Sequence, residues 1–171
     1  MKIRVVAKQN ASKNCIVCSR ENGFGLKTDF YDLEDGRIAA VFRAIPEHQS
    51  YPGRVHGGVI SAILDETVGR ALHPIEPDTW GVTIELNVKF RKPVPYGESL
   101  IAVGEITGNS SRFFSGKGVI LLSNGEVAAN ATAKYMKFPV EKIADFDGTG
   151  DYWKRFLSEE DPEEFDLPEK I

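Results

Sequence analysis

His56-Gly57-Gly58-Val59-Ile60-Ser61-Ala62-Ile63-Leu64-Asp65-Glu66 sets a pair of glycines directly ahead of an apolar run that carries two carboxylates. Val59, Ile60, Ile63, Leu64, Val68, Ala71 and Leu72 recur at helical spacing. They predict one long helix from the paired glycines to His73, where Pro74 blocks continuation. Asp65 then falls mid-helix, flanked by core positions. Ionising a buried carboxylate is costly, so this position needs a partner, a water or a task. The glycines indicate the task. Without Cβ they let a ligand approach the first-turn N–H groups, which lack intrahelical acceptors and lie at the positive end of the helix dipole. Such an entrance suits a developing oxyanion.

Gly57 and Asp65 are eight residues apart, about 12 Å along the axis at a rise of ~1.5 Å per residue. One carbonyl cannot touch both. If both serve one reaction, the glycine comes from one copy of the helix and the carboxylate from a second, antiparallel copy, which predicts a two-fold dimer with two equivalent interfacial sites. The plainer reading is an amphipathic helix with a tight glycine entry and an exposed or capped acidic pair.

Around this helix the pattern is strand. Residues 26–33 and 37–43 flank Glu34-Asp35-Gly36 as a hairpin, and residues 45–55 form an irregular loop. Beyond the helix, Val82, Ile84, Leu86, Val88 and Phe90 alternate with Thr83, Glu85, Asn87, Lys89 and Arg91, a half-buried strand ended by Pro93. Residues 100–107, 113–122 and 127–138 follow, with turns at Gly108-Asn109-Ser110 and Ser123-Asn124-Gly125. A long helix with so much apolar surface has to be covered, so the expected class is α+β, one central helix wrapped by a curved antiparallel sheet. There is no glycine-rich nucleotide loop and no internal repeat.

The His56-Gly57-Gly58 triplet followed by Asp65, the preceding Tyr51-Pro52-Gly53-Arg54-Val55 and the later Leu86-Asn87-Val88-Lys89-Phe90-Arg91-Lys92-Pro93-Val94-Pro95 resemble the hotdog-fold acyl-CoA thioesterases of the PaaI-like group. Cys15-Ile16-Val17-Cys18 with Asn22 and Gly25-Leu26 extends the resemblance, which covers residues 14–138. It implies a hotdog fold, sheets joined edge to edge in a homodimer or homotetramer, and hydrolysis of an acyl-CoA thioester with an aryl or medium-chain acyl group. Under it Gly57, or less directly Gly58, presents a backbone N–H to the thioester carbonyl. Asp65 of the other copy then attacks the carbonyl or activates a water. The resemblance, whose pattern places the carboxylate nine residues after the histidine, implies Asp65 rather than Glu66, which stands as a packing group and the fallback.

Thr83, four residues before Asn87, is nominated by the resemblance to orient the water, although strand parity puts it on the polar face with Glu85 unless a bulge near Gly81 turns it. His56 is expected to hold the loop by hydrogen bonding rather than act as a base, because the helix dipole disfavours its charged form. Arg91 and Lys92 either meet the phosphates of coenzyme A or stand as a solvated basic pair. A non-catalytic acyl-CoA-binding protein on the same fold would not need Asp65, and a hotdog enoyl-CoA hydratase uses an Asp and His pair set differently.

The chain has 171 residues, 42% of them hydrophobic, which suits one domain with a real core. Residues 1–144 are expected to form the hotdog domain and residues 145–171 an acidic extension. That extension carries ten acidic and three basic side chains, a net of −7, which against −4 for the whole chain leaves residues 1–144 at +3. A mildly basic body fits a polyanionic ligand but not nucleic acid. Tyr152, Trp153, Phe156 and Leu157 are expected to dock as a short helix, and the acidic residues after them to be mobile. No apolar run approaches the ~20 residues that span a bilayer, and the start is too quickly polar for a signal peptide, so no membrane partner and a cytoplasmic location are expected. Cys15 and Cys18 lack further zinc ligands at paired spacing and a βαβ context. They are expected to be structural or surface thiols, with neither metal nor cofactor required.

Overall fold

A computed structural model describes residues 1–145 and 152–171. The strands are β1 (Lys2–Lys8), β2 (Ala11–Ser12), β3 (Asp29–Leu33), β4 (Ile38–Arg43), β5 (Trp80–Phe90), β6 (Ser99–Asn109), β7 (Phe113–Leu121), β8 (Val127–Phe138), β9 (Trp153–Lys154) and β10 (Glu164–Asp166). One α-helix, α1 (Gly57–Arg70), lies between β4 and β5. Eight strands form an antiparallel sheet in the order β10-β1-β3-β4-β6-β7-β8-β5, and β2 pairs separately with β9. The predicted hairpin is β3–β4, its turn completed by Gly36 at φ 84°, a left-handed conformation that suits glycine.

α1 lies across the concave face, burying Ile60, Ile63 and Leu64 against Ile38, Ala40, Phe42, Ala102, Ile120 and Ala131. It sits unusually deep. A Cβ on Gly116 would come within 2.6 Å of Val68 Cγ1, and one on Gly118 within 2.8 Å of Val68 Cγ2. Bare backbone on β7 is what lets the helix approach. α1 stops at Arg70, three residues short of the predicted His73. The chain tightens there into i→i+3 bonds, Ala71 N–H to Val68 O at 3.2 Å and His73 N–H to Arg70 O at 3.1 Å, ahead of Pro74.

The other face of the sheet is not bare. Ala39, Val103, Val119 and Leu121 point away from the helix, and with Ile3, Tyr31 and Leu33 they bury Phe165 and Leu167 of the C-terminal segment. β10 pairs with the edge of β1. This corrects the expected short helix and mobile end. Trp153–Lys154 is a strand bonded to Ala11–Ser12, Leu157 is exposed, and the residues after it are docked. The stretch Glu164-Phe165-Asp166-Leu167 explains why, because it alternates polar and apolar side chains at the strand period within an acidic run. Glu164 pairs with Lys2 and Asp166 with the Met1 ammonium on the wet side. Two buried cations fix the segment from beneath: Lys8 Nζ meets Asp161 Oδ1 at 2.6 Å, and Arg37 Nη1 donates to Pro168 O at 2.8 Å. The beginning of the acidic extension, residues 146–151, lies outside the described residues.

β5 ends the sheet opposite β10. It is not the cleanly half-buried strand that alternation predicts, since Val82, Ile84 and Phe90 are exposed. Thr83 lies opposite Tyr135 and Glu85 opposite Lys134, so Ile84 is an extra residue, a β-bulge that inverts the parity of the strand on its N-terminal side.

Candidate active site

The bulge decides where Thr83 points. With Ile84 extruded, Thr83 faces the helix beside Tyr135 while Val82 and Ile84 turn outward. Thr83 Oγ1 lies 2.9 Å from Asp65 Oδ1 and 3.2 Å from Oδ2. The bulge that strand parity required lies at Ile84 rather than Gly81. Tyr135 Oη shares its hydrogen between Asp65 O at 2.8 Å and Oδ1 at 3.1 Å. Oδ1 therefore accepts from two hydroxyls, and Oδ2 is the freer oxygen.

Tyr135 was not singled out in the sequence. Its signal is the alternation of Ala129, Ala131, Ala133 and Tyr135 along the helix-facing side of β8, where only the last carries a polar tip. Its ring stacks on Phe114 with centroids 4.6 Å apart and planes at 9°. Gly69 and Gly81 give the pair room, since a Cβ on Gly81 would fall 2.6 Å from Phe114 Cζ. Burial first, then the Asp65 carboxylate, push the Tyr135 phenol well above its ordinary range, so it remains a donor throughout the neutral range.

A cavity of about 320 Å³ opens over this cluster, with Asp65, Thr83 and Tyr135 in its wall. Trp80 and Trp153 close one side with ring centroids 4.4 Å apart. Glu66 also reaches the cavity, but its Oε1 is paired with Arg70 at 2.8 Å and its Oε2 accepts from Cys15 Sγ at 3.1 Å. Asp65 is thus the carboxylate held only by hydroxyls, and Glu66 the one already neutralised.

The remaining predicted residues gather at the other end of α1. His56 caps the helix, its Nδ1 accepting from Gly58 N–H at 2.9 Å. This makes the imidazole a loop-holding acceptor and occupies the Gly58 N–H. Gly57 N–H, at the first helical position, makes no hydrogen bond among the described residues, as first-turn geometry dictates. The Phe90 ring lies beside it, with Cζ 3.4 Å from where a Gly57 Cβ would stand. Arg91 and Lys92 continue from Phe90, but each has a local partner: Arg91 Nε donates to Asn130 Oδ1 at 2.7 Å and Lys92 Nζ pairs with Glu126. Within one chain the residues fall into two groups, one at the start of α1 and one around Asp65 in its second half.

Residues 52–121 match the thioesterase superfamily model. That stretch likens the middle of the chain to the thioesterase superfamily. Among curated proteins the chain is 27% identical to mouse (Mus musculus) acyl-coenzyme A thioesterase THEM4 over 126 residues, 72% of this chain and 54% of that protein. It thus spans about half the length of that relative. Among solved structures, a thioesterase superfamily protein superposes with a TM-score of 0.62 at 26% identity, covering 68% of this chain and 56% of the other. A Bacillus halodurans protein solved with CoA gives a TM-score of 0.54 at 27% identity, over 58% of this chain and 70% of that one. One helix packed on a large antiparallel sheet is the arrangement these neighbours share, the hotdog fold. No helix among the described residues is long and apolar enough to cross a membrane.

Proposed function

We propose that this chain hydrolyses acyl-CoA thioesters to the free acid and coenzyme A, at two equivalent sites formed between antiparallel copies of α1. The observation that carries this is Asp65, a carboxylate open to a cavity and held in place by Thr83 and Tyr135. Its helix begins at a free Gly57 N–H too far away to serve the same carbonyl. The outer edge of β5 supports the pairing, because an end strand with exposed Val82 and Ile84 gains neighbours by joining a second copy. In the joined state Gly57 N–H of one chain polarises the thioester carbonyl. Asp65 Oδ2 of the other takes a proton from the attacking water, and Thr83 Oγ1, donating to Asp65, keeps a lone pair to orient it. The thiolate of coenzyme A leaves with little need of an acid. Two tryptophans in the cavity wall favour an aryl over a long flexible acyl group. The CoA found with the Bacillus halodurans relative supports the choice of carrier.

A thiol-release assay across aryl-, medium-chain and short-chain acyl-CoAs tests this reading. Turnover should be highest with an aryl group, whereas ligand binding without release on any member would identify a binding protein. The shared site has its own test. Gly57→Pro removes the N–H at little structural cost, because proline is tolerated at the first helical position and His56, at φ −62° and ψ 138°, already has the backbone that precedes proline. Mixing inactive Asp65→Asn and Gly57→Pro chains should restore up to one working site per mixed dimer. Proven subunit exchange without recovered activity would mean that each site lies within one chain.

A further inference from the structure

The loop ahead of β3 brings Cys15 and Cys18 into the wall of the same cavity, in surroundings that packing alone does not require. Cys15 Sγ is half-buried, lines the cavity, and accepts from two backbone N–H groups, Val17 at 3.2 Å and Cys18 at 3.3 Å. Cys18 is buried, and its Sγ accepts from Ser12 N–H at 3.2 Å and from Arg70 Nη2 at 3.1 Å. Glu66 Oε2 lies 3.1 Å from Cys15 Sγ, placed to receive its proton. The two sulfurs and the Glu66 oxygen all fall within 4.8 Å of one another. Such a trio invites a metal ion, but the Arg70 guanidinium already stands beside both Cys18 Sγ and Glu66 and supplies the positive charge. The remaining chemistry is that of a thiolate and a second thiol within reach.

We propose that Cys15 and Cys18 are a redox-active pair, Cys15 attacking a small-molecule disulfide from the cavity and Cys18 resolving the product. Cys15 Sγ, its proton passed to Glu66, bonds to one sulfur of the disulfide RSSR while the other leaves as a thiolate and is protonated to RSH. Cys18 then loses its proton, bonds to Cys15 Sγ and expels the second sulfur as RSH. Two electrons pass from the cysteine pair to RSSR, leaving one intramolecular disulfide and two free thiols. The roles follow from exposure and hydrogen bonding, since only Cys15 is open to the cavity and sulfur-directed N–H groups stabilise a thiolate. The hydrogen bonds agree: those from Cys18 hold the Cys15 thiol below its ordinary range although burial and the Glu66 carboxylate raise it, while the same bond, burial and Glu66 push Cys18 up. Oxidation also removes the proton that Cys15 donates to Glu66, next to Asp65 on α1. A slower hydrolysis in the oxidised state is the consequence, and that consequence alone rests on the thioesterase reading.

The test is intact-mass analysis of the reduced full chain treated with oxidised glutathione. Wild type should lose two hydrogens without retaining an adduct. Cys18→Ser, or Cys18→Ala if serine disturbs the loop, should retain one glutathione at Cys15, and native Cys15 should react at least ~10-fold faster than in the urea-unfolded chain. Adduct formation on Cys18 in preference to Cys15 would overturn the proposal. So would a native rate no faster than the unfolded one, or stoichiometric zinc binding that blocks both thiols. None of these readings depends on turnover, so an inactive thioesterase with a working dithiol, or the reverse, is plainly distinguished. In an active preparation, oxidation should lower thiol release several-fold and dithiothreitol should restore it.

Discussion

Asp65→Asn will lower thiol release from a preferred acyl-CoA at least ~100-fold while leaving the fold and ligand binding intact. The amide keeps the shape of the carboxylate and can still accept from Thr83 and Tyr135 through its oxygen. What it loses is the freer oxygen, Oδ2, whose replacement by an NH₂ group can neither accept a proton from water nor attack a carbonyl. The loss should appear in kcat, with KM little changed, because the interaction is made in the transition state and not in the ground state. Glu66→Gln is the control. It removes a charge already paired with Arg70 and should cost far less turnover than Asp65→Asn. Near-normal release by the Asp65 variant, or an equal loss in both, would shift the chemistry to the neighbouring carboxylate.

Deleting residues 159–171 will unfold the chain or lower its Tm by at least ~10 °C. The deletion removes the buried side chains Phe165 and Leu167, and losing such groups costs about 3–5 and 2–5 kcal/mol in comparable large-to-small core substitutions. Typical domains have only about 5–15 kcal/mol in total, and in a chain of this size each kcal/mol moves Tm by roughly 2–4 °C. Asp161 goes as well, leaving Lys8, 5% exposed at its side chain, with Asp29 at 3.3 Å as its remaining carboxylate among the described residues. Phe165→Ala in the full chain should account for a large part of the effect. An unchanged melting curve after truncation would mean that the segment rests on the sheet without stabilising it.

The central helix, the hairpin before it, the strands after it and their antiparallel class were legible in the sequence, because each is written in a local period and in turn residues at the breaks. The glycine entrance and Asp65 were legible for the same reason, since one helix carries both and its rise sets the distance between them. Four things were not. Thr83 is nominated by the resemblance, but its facing Asp65 depends on a bulge at Ile84, and a single inserted residue reverses every side chain on one side of it without leaving a mark on the alternation itself. Tyr135 meets Asp65 across 70 residues of chain, a contact that exists only once β8 lies beside β5 under the helix. The C-terminal segment reads as solvated when its charge is summed over the whole run. Phe165 and Leu167 needed the far face of the sheet before their spacing meant anything. Likewise Cys15 and Cys18 lacked partners in sequence, and only the packing of their loop against α1 set Glu66 and Arg70 beside them. Local periodicity determined which elements form and where the reactive helix begins. Tertiary packing decided which polar atoms face one another, because register, bulges and long-range contacts are settled by burial summed over distant residues rather than by any one stretch.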